Sequence, residues 1–292
     1  MKNKEELFFY LDNKLLTENK DAKVSIPNDI FSNLMKTESM KNANQLAFCF
    51  SYLVLNAFLS KYCAYWDYGG EEFITKKDMK VILGYNRENK TVNHLIKVNG
   101  VLEKNNLLTH EKDIPVYHGI ESNSRVTRDG KPKEIKDWVL SPISDMPKQM
   151  QDEFRAHKSK GNPRFEAPIP NFILGVNDVQ NTLNDRNLTF TVKYKTFRDL
   201  LFKEEMGLVD FCVFYFMRKI AYKRNEKEIS YSQVVAELEM SRSTFRESII
   251  RLEDKKLIEV IDTGFSSGYV YINGVSKPVF SRNIRRYKVL RD

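Results

Sequence analysis

The sequence predicts a mainly helical α+β fold in which one unit occurs twice. Ile74-Thr75 is followed by Leu83 nine residues after Ile74, and Ile229-Ser230 is followed in the same way by Leu238. The next matched pair keeps the same offset of 155 residues (229 − 74 and 242 − 87): Asn86-Arg87 with Ser241-Arg242. In each copy the pattern indicates a helix, a tight turn and a second helix, which is a helix-turn-helix.

The repeat extends on both sides of this pattern. An Ile-Pro-Asn triplet and an aromatic Phe-Cys-x-x-Tyr segment precede each copy, and Leu-Glu-x-x-x-Leu closes it. The matched segments are 26–28 with 169–171, 48–52 with 211–215, and 102–108 with 252–258. The last pair is offset by 150 (252 − 102), so we expect the second helix of the first copy to be about one turn longer than that of the second copy. A period this long indicates a duplicated domain and not a solenoid.

Length agrees with two domains, since 292 residues correspond to about two units of roughly 150. We expect an N-terminal arm at 1–23, a first domain at 24–143, a proline-rich linker at 144–168 and a second domain at 169–292 with a basic C-terminal tail. The arm is predicted to be a short amphipathic helix or a loosely docked segment. The net charge of +8 favours a polyanionic partner.

The apolar segments predict a cytoplasmic protein that does not enter a membrane. Leu46 to Leu59 is shorter than the roughly 20 residues that span a bilayer, and it is expected to be a buried helix. Cys49, Cys63 and Cys212 form no CxxC pair and are expected to be reduced core thiols. The N-terminus shows no targeting signal.

Capping residues define where the helices of each copy begin. Thr75 is expected to cap the helix that ends at Leu83, Gly84 makes the turn, and Asn86 is expected to cap a continuous helix over 87–105. In the second copy, Ser241 is expected to cap a helix over 242–256. The apolar positions predict its buried stripe: Phe245, Ile249, Leu252 and Ile250.

A strand pair follows each helix-turn-helix. Runs at 115–127 and 134–143 are joined through Asp129-Gly130, which is a strong hairpin signal. The second copy has runs at 259–262 and 269–272 around a tip at 264–268. A helix-turn-helix followed by such a hairpin is a winged helix, so the sequence predicts two winged-helix domains in tandem. Pro147 to His157, in the linker, is expected to be a short helix.

This architecture predicts contact with double-stranded DNA, because the first turn of a recognition helix meets base edges in the major groove. The expected contacts in the second domain are Arg242, Ser243, Thr244, Arg246 and Arg251, and those in the first are Arg87, Asn89, Lys90 and Lys97. Phosphate contacts are expected at the wing and the tail: Arg125, Arg128, Lys131, Lys133, Arg282, Arg285 and Arg286. The alternative is that these side chains form solvated helix faces and a soluble hairpin.

Catalysis finds little support in the sequence. The four histidines are dispersed, no Walker A motif is present, and no metal-ligand spacing occurs. We therefore expect a binding protein with no cofactor and no metal, not an enzyme. The aromatic helices, around Phe48 to Phe58 and Phe211 to Phe216, are expected to lie in the core or an interface because single-strand stacking platforms need exposed rings.

The tandem arrangement resembles the replication initiator proteins of theta-replicating bacterial plasmids. The likeness rests on Ile26-Pro27-Asn28, the aromatic helix and the segment 74–108, and at the level of architecture it covers most of the chain. It implies binding to repeated origin sites, a homodimer in balance with the monomer, and host replication proteins as partners.

Two other interpretations stay open. A transcriptional regulator, or a phage or plasmid partition factor, has the same fold but a different DNA site. An initiator is expected to bind direct repeats as a monomer, whereas a regulator is expected to bind an inverted repeat as a dimer. A scaffold built from winged helices predicts no salt-dependent affinity for DNA.

Overall fold

Two aromatic-rich helices, one from each half of the sequence, lie against each other in the core of the computed structural model. They are α3 (Ala43–Lys61) and α10 (Leu208–Ile220). The ring of Phe50 lies 5.7 Å from that of Phe211 and 6.3 Å from that of Tyr215. The eight aromatic residues predicted to be buried are at most 1% exposed, which confirms that prediction: Phe48, Phe50, Tyr52, Phe58, Phe211, Phe214, Tyr215 and Phe216.

The structure describes residues 2–17, 21–37, 40, 42–66, 73–126, 132–161, 166–174, 189–204, 206–221, 226–262, 267–272, 275–280 and 284–290. Among these residues, α3 alone is long and apolar enough to cross a membrane by length and composition. However, 83% of its most apolar window is buried inside the protein. The prediction of a buried helix is therefore confirmed, although the helix is longer than the apolar run alone indicated.

The N-terminal arm is a docked helix. Helix α1 (Lys4–Asp12) begins with a capping box between Asn3 and Glu6 and continues into a short π-helical segment, Asn13–Thr17. Leu7, Phe8 and Leu11 are fully buried. Strand β1 (Lys23–Pro27) and helix α2 (Ile30–Met35) complete the entry to the first half.

The first half then continues through short helices and two strand pairs. Its helices are α4 (Lys76–Ile82), α5 (Asn93–Ile96), α6 (Val101–Lys104), α7 (Lys148–Gly161) and α8 (Asn171–Leu174). Its strands are β2 (Leu108–Glu111), β3 (Pro115–Val126), β4 (Pro132–Pro142) and β5 (Ala167–Pro170). Strands β3 and β4 form the predicted antiparallel hairpin. The helix predicted in the linker is present as α7, where Phe154 lies 5.3 Å from Trp66.

In the second half, a three-stranded sheet packs against the helices. Strand β6 (Thr189–Lys193), helix α9 (Tyr194–Arg198) and a π-helical segment, Asp199–Lys203, lead into α10. Helices α11 (Tyr231–Leu238) and α12 (Arg242–Asp254) follow β7 (Glu226–Ser230). The last strands are β8 (Ile258–Asp262), β9 (Ser267–Ile272), β10 (Val275–Phe280) and β11 (Ile284–Val289). The sheet has the antiparallel order β7–β11–β8, and β9 pairs with β10.

The pair β1–β6 joins the two halves, and the pair β2–β5 holds the start of the second sequence copy in the first half. Strand β1 runs antiparallel to β6, from Lys23 opposite Lys193 to Pro27 opposite Thr189. Strand β5, which the sequence placed at the boundary of the second domain, pairs with β2 of the first half.

Helix α1 also crosses between the halves. Asp12 forms an ion pair with Arg198 (2.8 Å) and accepts a hydrogen bond from the Tyr194 hydroxyl (3.1 Å). The ring of Phe8 lies 4.9 Å from that of Phe202. The arm therefore fastens the start of the chain to the second half.

The sequence repeat is reproduced in backbone geometry. In each half the glutamate of the closing motif accepts a hydrogen bond from a backbone N–H seven residues later: Glu103 from His110 (3.2 Å) and Glu253 from Val260 (3.1 Å). Residues of positive φ also fall at matched positions: Gly84 (79°) with Glu239 (44°), and Asn106 (55°) with Lys256 (55°). The turn within each copy and the closing motif therefore share backbone conformation as well as sequence.

The second wing and the tail differ from their prediction. Strand β8 pairs with β11 instead of β9, and the hairpin is formed by β9 and β10. The segment predicted as a basic tail supplies β11, the central strand of the sheet. Tyr287 is fully buried, Val289 is 7% exposed, and Lys288 between them is exposed. This alternation of buried and exposed side chains is typical of a half-buried strand. The many basic residues of the segment hid it in the sequence.

We expect Phe50→Ala to destabilise both halves together. Removing a fully buried aromatic side chain costs about 3–5 kcal/mol, and this ring contacts both halves. Chemical denaturation followed by circular dichroism and by tyrosine fluorescence should give one shifted transition. Phe9→Ala is the control, because Phe9 is 67% exposed and its loss should change stability by less than about 0.5 kcal/mol. Separate transitions for the two probes would contradict the shared core.

Candidate nucleic-acid interface

Helix α12 is the best-formed candidate for contact with a nucleic acid. It begins at Ser241, as predicted, where the Ser241 Oγ accepts a hydrogen bond from the Thr244 backbone N–H (3.0 Å). The same Oγ lies 2.8 Å from the Ser243 hydroxyl and 2.8 Å from the Thr244 hydroxyl. Thr244 is half-buried at this cap. The first turn of the helix is therefore held in shape before any ligand arrives.

Two arginines project from this first turn into solvent. Arg242 and Arg246 are exposed, and neither makes a hydrogen bond or an ion pair with any residue that the structure describes. The opposite face of the helix is buried through Phe245, Ile249 and Leu252. Because that face fixes the helix to the protein, the guanidinium groups are presented outward on a rigid support.

Ile250 does not belong to the buried stripe in which the sequence analysis placed it. Its exposed fraction is 46%, and the fourth buried position of α12 is Ser248. At about 100° per residue the buried positions fall within about 100° of the helix circumference, and Ile250 lies about 100° beyond Ile249, outside that face. The structure puts Ile250 on the outer face with Arg246.

Arg251 was predicted to contact DNA, and in the structure its guanidinium is paired with a carboxylate of the protein itself. Its Nη2 lies 2.9 Å from Oδ1 of Asp210, and its Nε lies 3.0 Å from Oδ2. Asp210 is almost fully buried in the first turn of α10 and also accepts a hydrogen bond from the Gly207 N–H (3.3 Å). These bonds from Asp210 raise the pKa of Arg251. The pair fastens the C-terminal half of α12 to α10.

Arg87, the counterpart of Arg242, is also occupied by the protein. Its guanidinium donates to Asp78 and to the carbonyl of Lys2, and its side chain is only 16% exposed. Asp78 is at the same time the capping-box residue of α4, opposite Thr75, which confirms the predicted cap. In this position Arg87 stabilises the start of α4.

The predicted continuous helix over 87–105 is wrong. Only α5 and α6 are helical there, and a bend over 97–100 separates them. Asn99 has a φ of 56°, and a Cβ on Gly100 would lie 2.6 Å from the carbonyl oxygen of Lys97. Upstream, the Lys80 ammonium donates to the Asn89 carbonyl (2.7 Å) and to the Asn93 side chain. These contacts hold 86–92 in turns despite its helical apolar spacing.

The first half nevertheless presents cations. Lys90 and Lys97 are exposed on this segment. Asn89 is half-buried, and its Oδ1 accepts from the Thr91 N–H (2.8 Å), so its side chain shapes a turn. Similarly, Asn86 accepts from the Glu88 N–H (2.9 Å) and caps no helix.

Most of the predicted phosphate contacts lie outside the described part of the structure. Arg128, Lys131 and Arg282 fall in segments that are not described, and for Arg125, Lys133 and Arg285 only the backbone is. Arg286 is half-buried in β11. Its position in the central strand of a sheet differs from the flexible tail that the sequence predicted.

A cleft of about 650 Å³ lies between the halves near the base of α12. Gly84 and Tyr85 line it from the first half, and Asp210, Arg251 and Lys255 line it from the second. Lys255 forms an ion pair with Glu204 (2.9 Å), so its charge is neutralised within the wall. No local sequence pattern signals this cleft, because its walls come from segments far apart in the chain.

His110 supports the bend from the adjoining strand. Its Nε2 lies 3.1 Å from the Ile96 carbonyl oxygen, and its Nδ1 lies 3.2 Å from Oε1 of Glu103, without the alignment of a hydrogen bond. Burial, reinforced by the Lys76 ammonium, holds the pKa of His110 below its ordinary value despite the Glu103 carboxylate. The imidazole is therefore neutral at neutral pH.

Comparison of this chain with protein-family models, with curated proteins and with solved structures finds no match.

We expect Arg251→Ala to lower the stability of the protein, whereas Arg246→Ala leaves it unchanged. Truncating Arg251 removes a bidentate hydrogen-bonded pair from the buried Asp210 carboxylate, a loss of about 1.5–3 kcal/mol. Urea denaturation of both variants measures the difference. Equal stabilities would show that the Asp210–Arg251 pair does not anchor α12.

We also expect stability to fall below about pH 6.5 in part because of His110. The unfolded chain takes up this proton near pH 6.5 and the folded chain only at lower pH, so acid favours unfolding in this window. His110→Gln should show a shallower loss of the free energy of unfolding between about pH 7.5 and 5.5. An unchanged slope in His110→Gln would refute this assignment.

Proposed function

We propose that this protein binds double-stranded DNA with sequence preference and that α12 is its recognition helix. The observation that carries the proposal is the capped first turn of α12, from which Arg242 and Arg246 project into solvent. The buried face of α12 holds this turn in a fixed position. Arginine in this position pairs bidentately with guanine O6 and N7 in the major groove. The net charge of +8 favours the same partner.

The arrangement around α12 supports a winged-helix interpretation of the second half. Helices α10, α11 and α12 are backed by the sheet β7–β11–β8, and the hairpin β9–β10 is inserted between β8 and β11. In such a domain the hairpin is the wing, which reaches the DNA backbone beside the groove occupied by the helix. We extend the interpretation to the first half, where α4, the α5–α6 segment and the hairpin β3–β4 follow in the same order.

We further propose that the protein is a plasmid replication initiator that binds repeated sites at an origin. The support is the duplication itself together with the strands and helices that join the two halves. Two helix-turn-helix units joined in one chain suit a monomer that contacts neighbouring positions on the same DNA. A transcriptional regulator or a partition factor is the alternative, and the symmetry of the bound site separates these functions.

The direct test is footprinting of the purified protein on DNA that flanks its own gene, at low and at physiological salt. Affinity should fall with salt as phosphate counterions are released. Protected direct repeats would favour the initiator, and a protected inverted repeat would favour the regulator. Absence of protection at both salt concentrations would reject DNA binding and favour a protein-binding role for these domains.

We expect the Arg242→Ala/Arg246→Ala double variant to lose sequence preference. Each good bidentate arginine–guanine contact is worth about 1–3 kcal/mol, so discrimination against a mutated site should fall by at least about tenfold. In contrast, Lys90→Ala/Lys97→Ala should weaken binding to all sequences alike and reduce its salt dependence. Arg155→Ala removes another exposed arginine, from α7, and serves as the control. Full discrimination by the Arg242/Arg246 variant would exclude α12 as the recognition helix.

A further inference from the structure

The outer face of α12 carries one apolar side chain among polar ones. Ile250 is 46% exposed, and it follows Ser243 by seven residues and Arg246 by four. At about 100° per residue, these positions lie within about 20° and 40° of Ile250 around the helix axis. Glu247, also exposed, lies on the same side. Ile250 is therefore on the face that carries the candidate base contacts.

A single exposed isoleucine is ordinary on a protein surface and needs no function. The position of Ile250 distinguishes it from the other large apolar side chains that are exposed in the described part of the chain: Phe9, Val98 and Leu290. None of those three lies on α12. Only Ile250 is held on a rigid helix beside the two arginines proposed to enter the groove.

The major groove offers one apolar group to such a side chain. Among the four bases, only thymine presents a methyl group there, at C5, and small apolar side chains recognise it by contact. Four residues of helix correspond to about 6 Å along the axis. Because base pairs are stacked about 3.4 Å apart, the base next to Ile250 is one or two steps from the base that meets Arg246.

We propose that Ile250 is a specificity-determining residue that packs against the C5-methyl group of a thymine in the bound DNA. This inference rests on the proposed function, because it requires α12 to lie in the major groove. The contact would add a preference for thymine to a helix whose other candidate contacts are polar. It would also shield the exposed Ile250 side chain from water.

The test replaces each thymine of the footprinted site by uracil, one position at a time, which removes the methyl group and leaves base pairing intact. Wild-type protein should lose about fourfold in affinity at one thymine, the value expected for one buried methyl group. Ile250→Ala should bind the thymine and uracil forms of that position equally. Leu290→Ala is the matched control, since Leu290 is 45% exposed outside α12, and it should keep the fourfold preference.

The outcomes separate this inference from the proposed function. Sequence-specific binding with equal uracil sensitivity in the wild type and Ile250→Ala would overturn the role of Ile250 and leave DNA binding intact. A change in self-association of Ile250→Ala, measured by sedimentation, with unchanged uracil sensitivity would assign the side chain to a protein interface and also overturn it. If a folded wild-type protein bound no DNA at low salt, both proposals would fail.

Discussion

The packing of α3 against α10 is the constraint on which the other contacts depend. Each helix is apolar around most of its circumference, so neither half can bury its own helix alone. Phe50 lies against Phe211 and Tyr215 at this interface, and β1–β6 and α1 add further buried contacts between the halves. The two halves consequently share one core. The position of α12 depends on that core, because α12 packs against α10.

Local signals in the sequence predicted what local interactions determine. The caps at Thr75 and Ser241 form within one turn, and their hydroxyls accept the expected backbone hydrogen bonds. The hairpin β3–β4 is equally local, since a turn signal and two flanking β-like runs specify it. The repeat itself was detectable because the same short hydrogen-bonded patterns need the same residues at the same spacing.

Distant partners determined the features that the sequence analysis missed. The turns before α5 are held by the ammonium of Lys80 on another helix, and the bend before α6 needs Gly100 because a Cβ there would meet the Lys97 carbonyl. The role of β11 depends on β7 and β8, which flank it from far upstream in the chain. Periodicity reports which face is apolar, but it does not report which element covers that face.

One of the positions at which the two copies differ explains why Arg87 is held within the protein and Arg242 is exposed. Asp78 of the first half stands where the second half has Gln233, at the offset of 155 that also relates Arg87 to Arg242. Asp78 holds the Arg87 guanidinium within the protein, whereas a glutamine has no charge with which to hold Arg242. The first copy thus uses its arginine for stability and the second leaves it exposed. If both copies meet DNA, base recognition is therefore expected chiefly from the second half, while the first contributes charge and position.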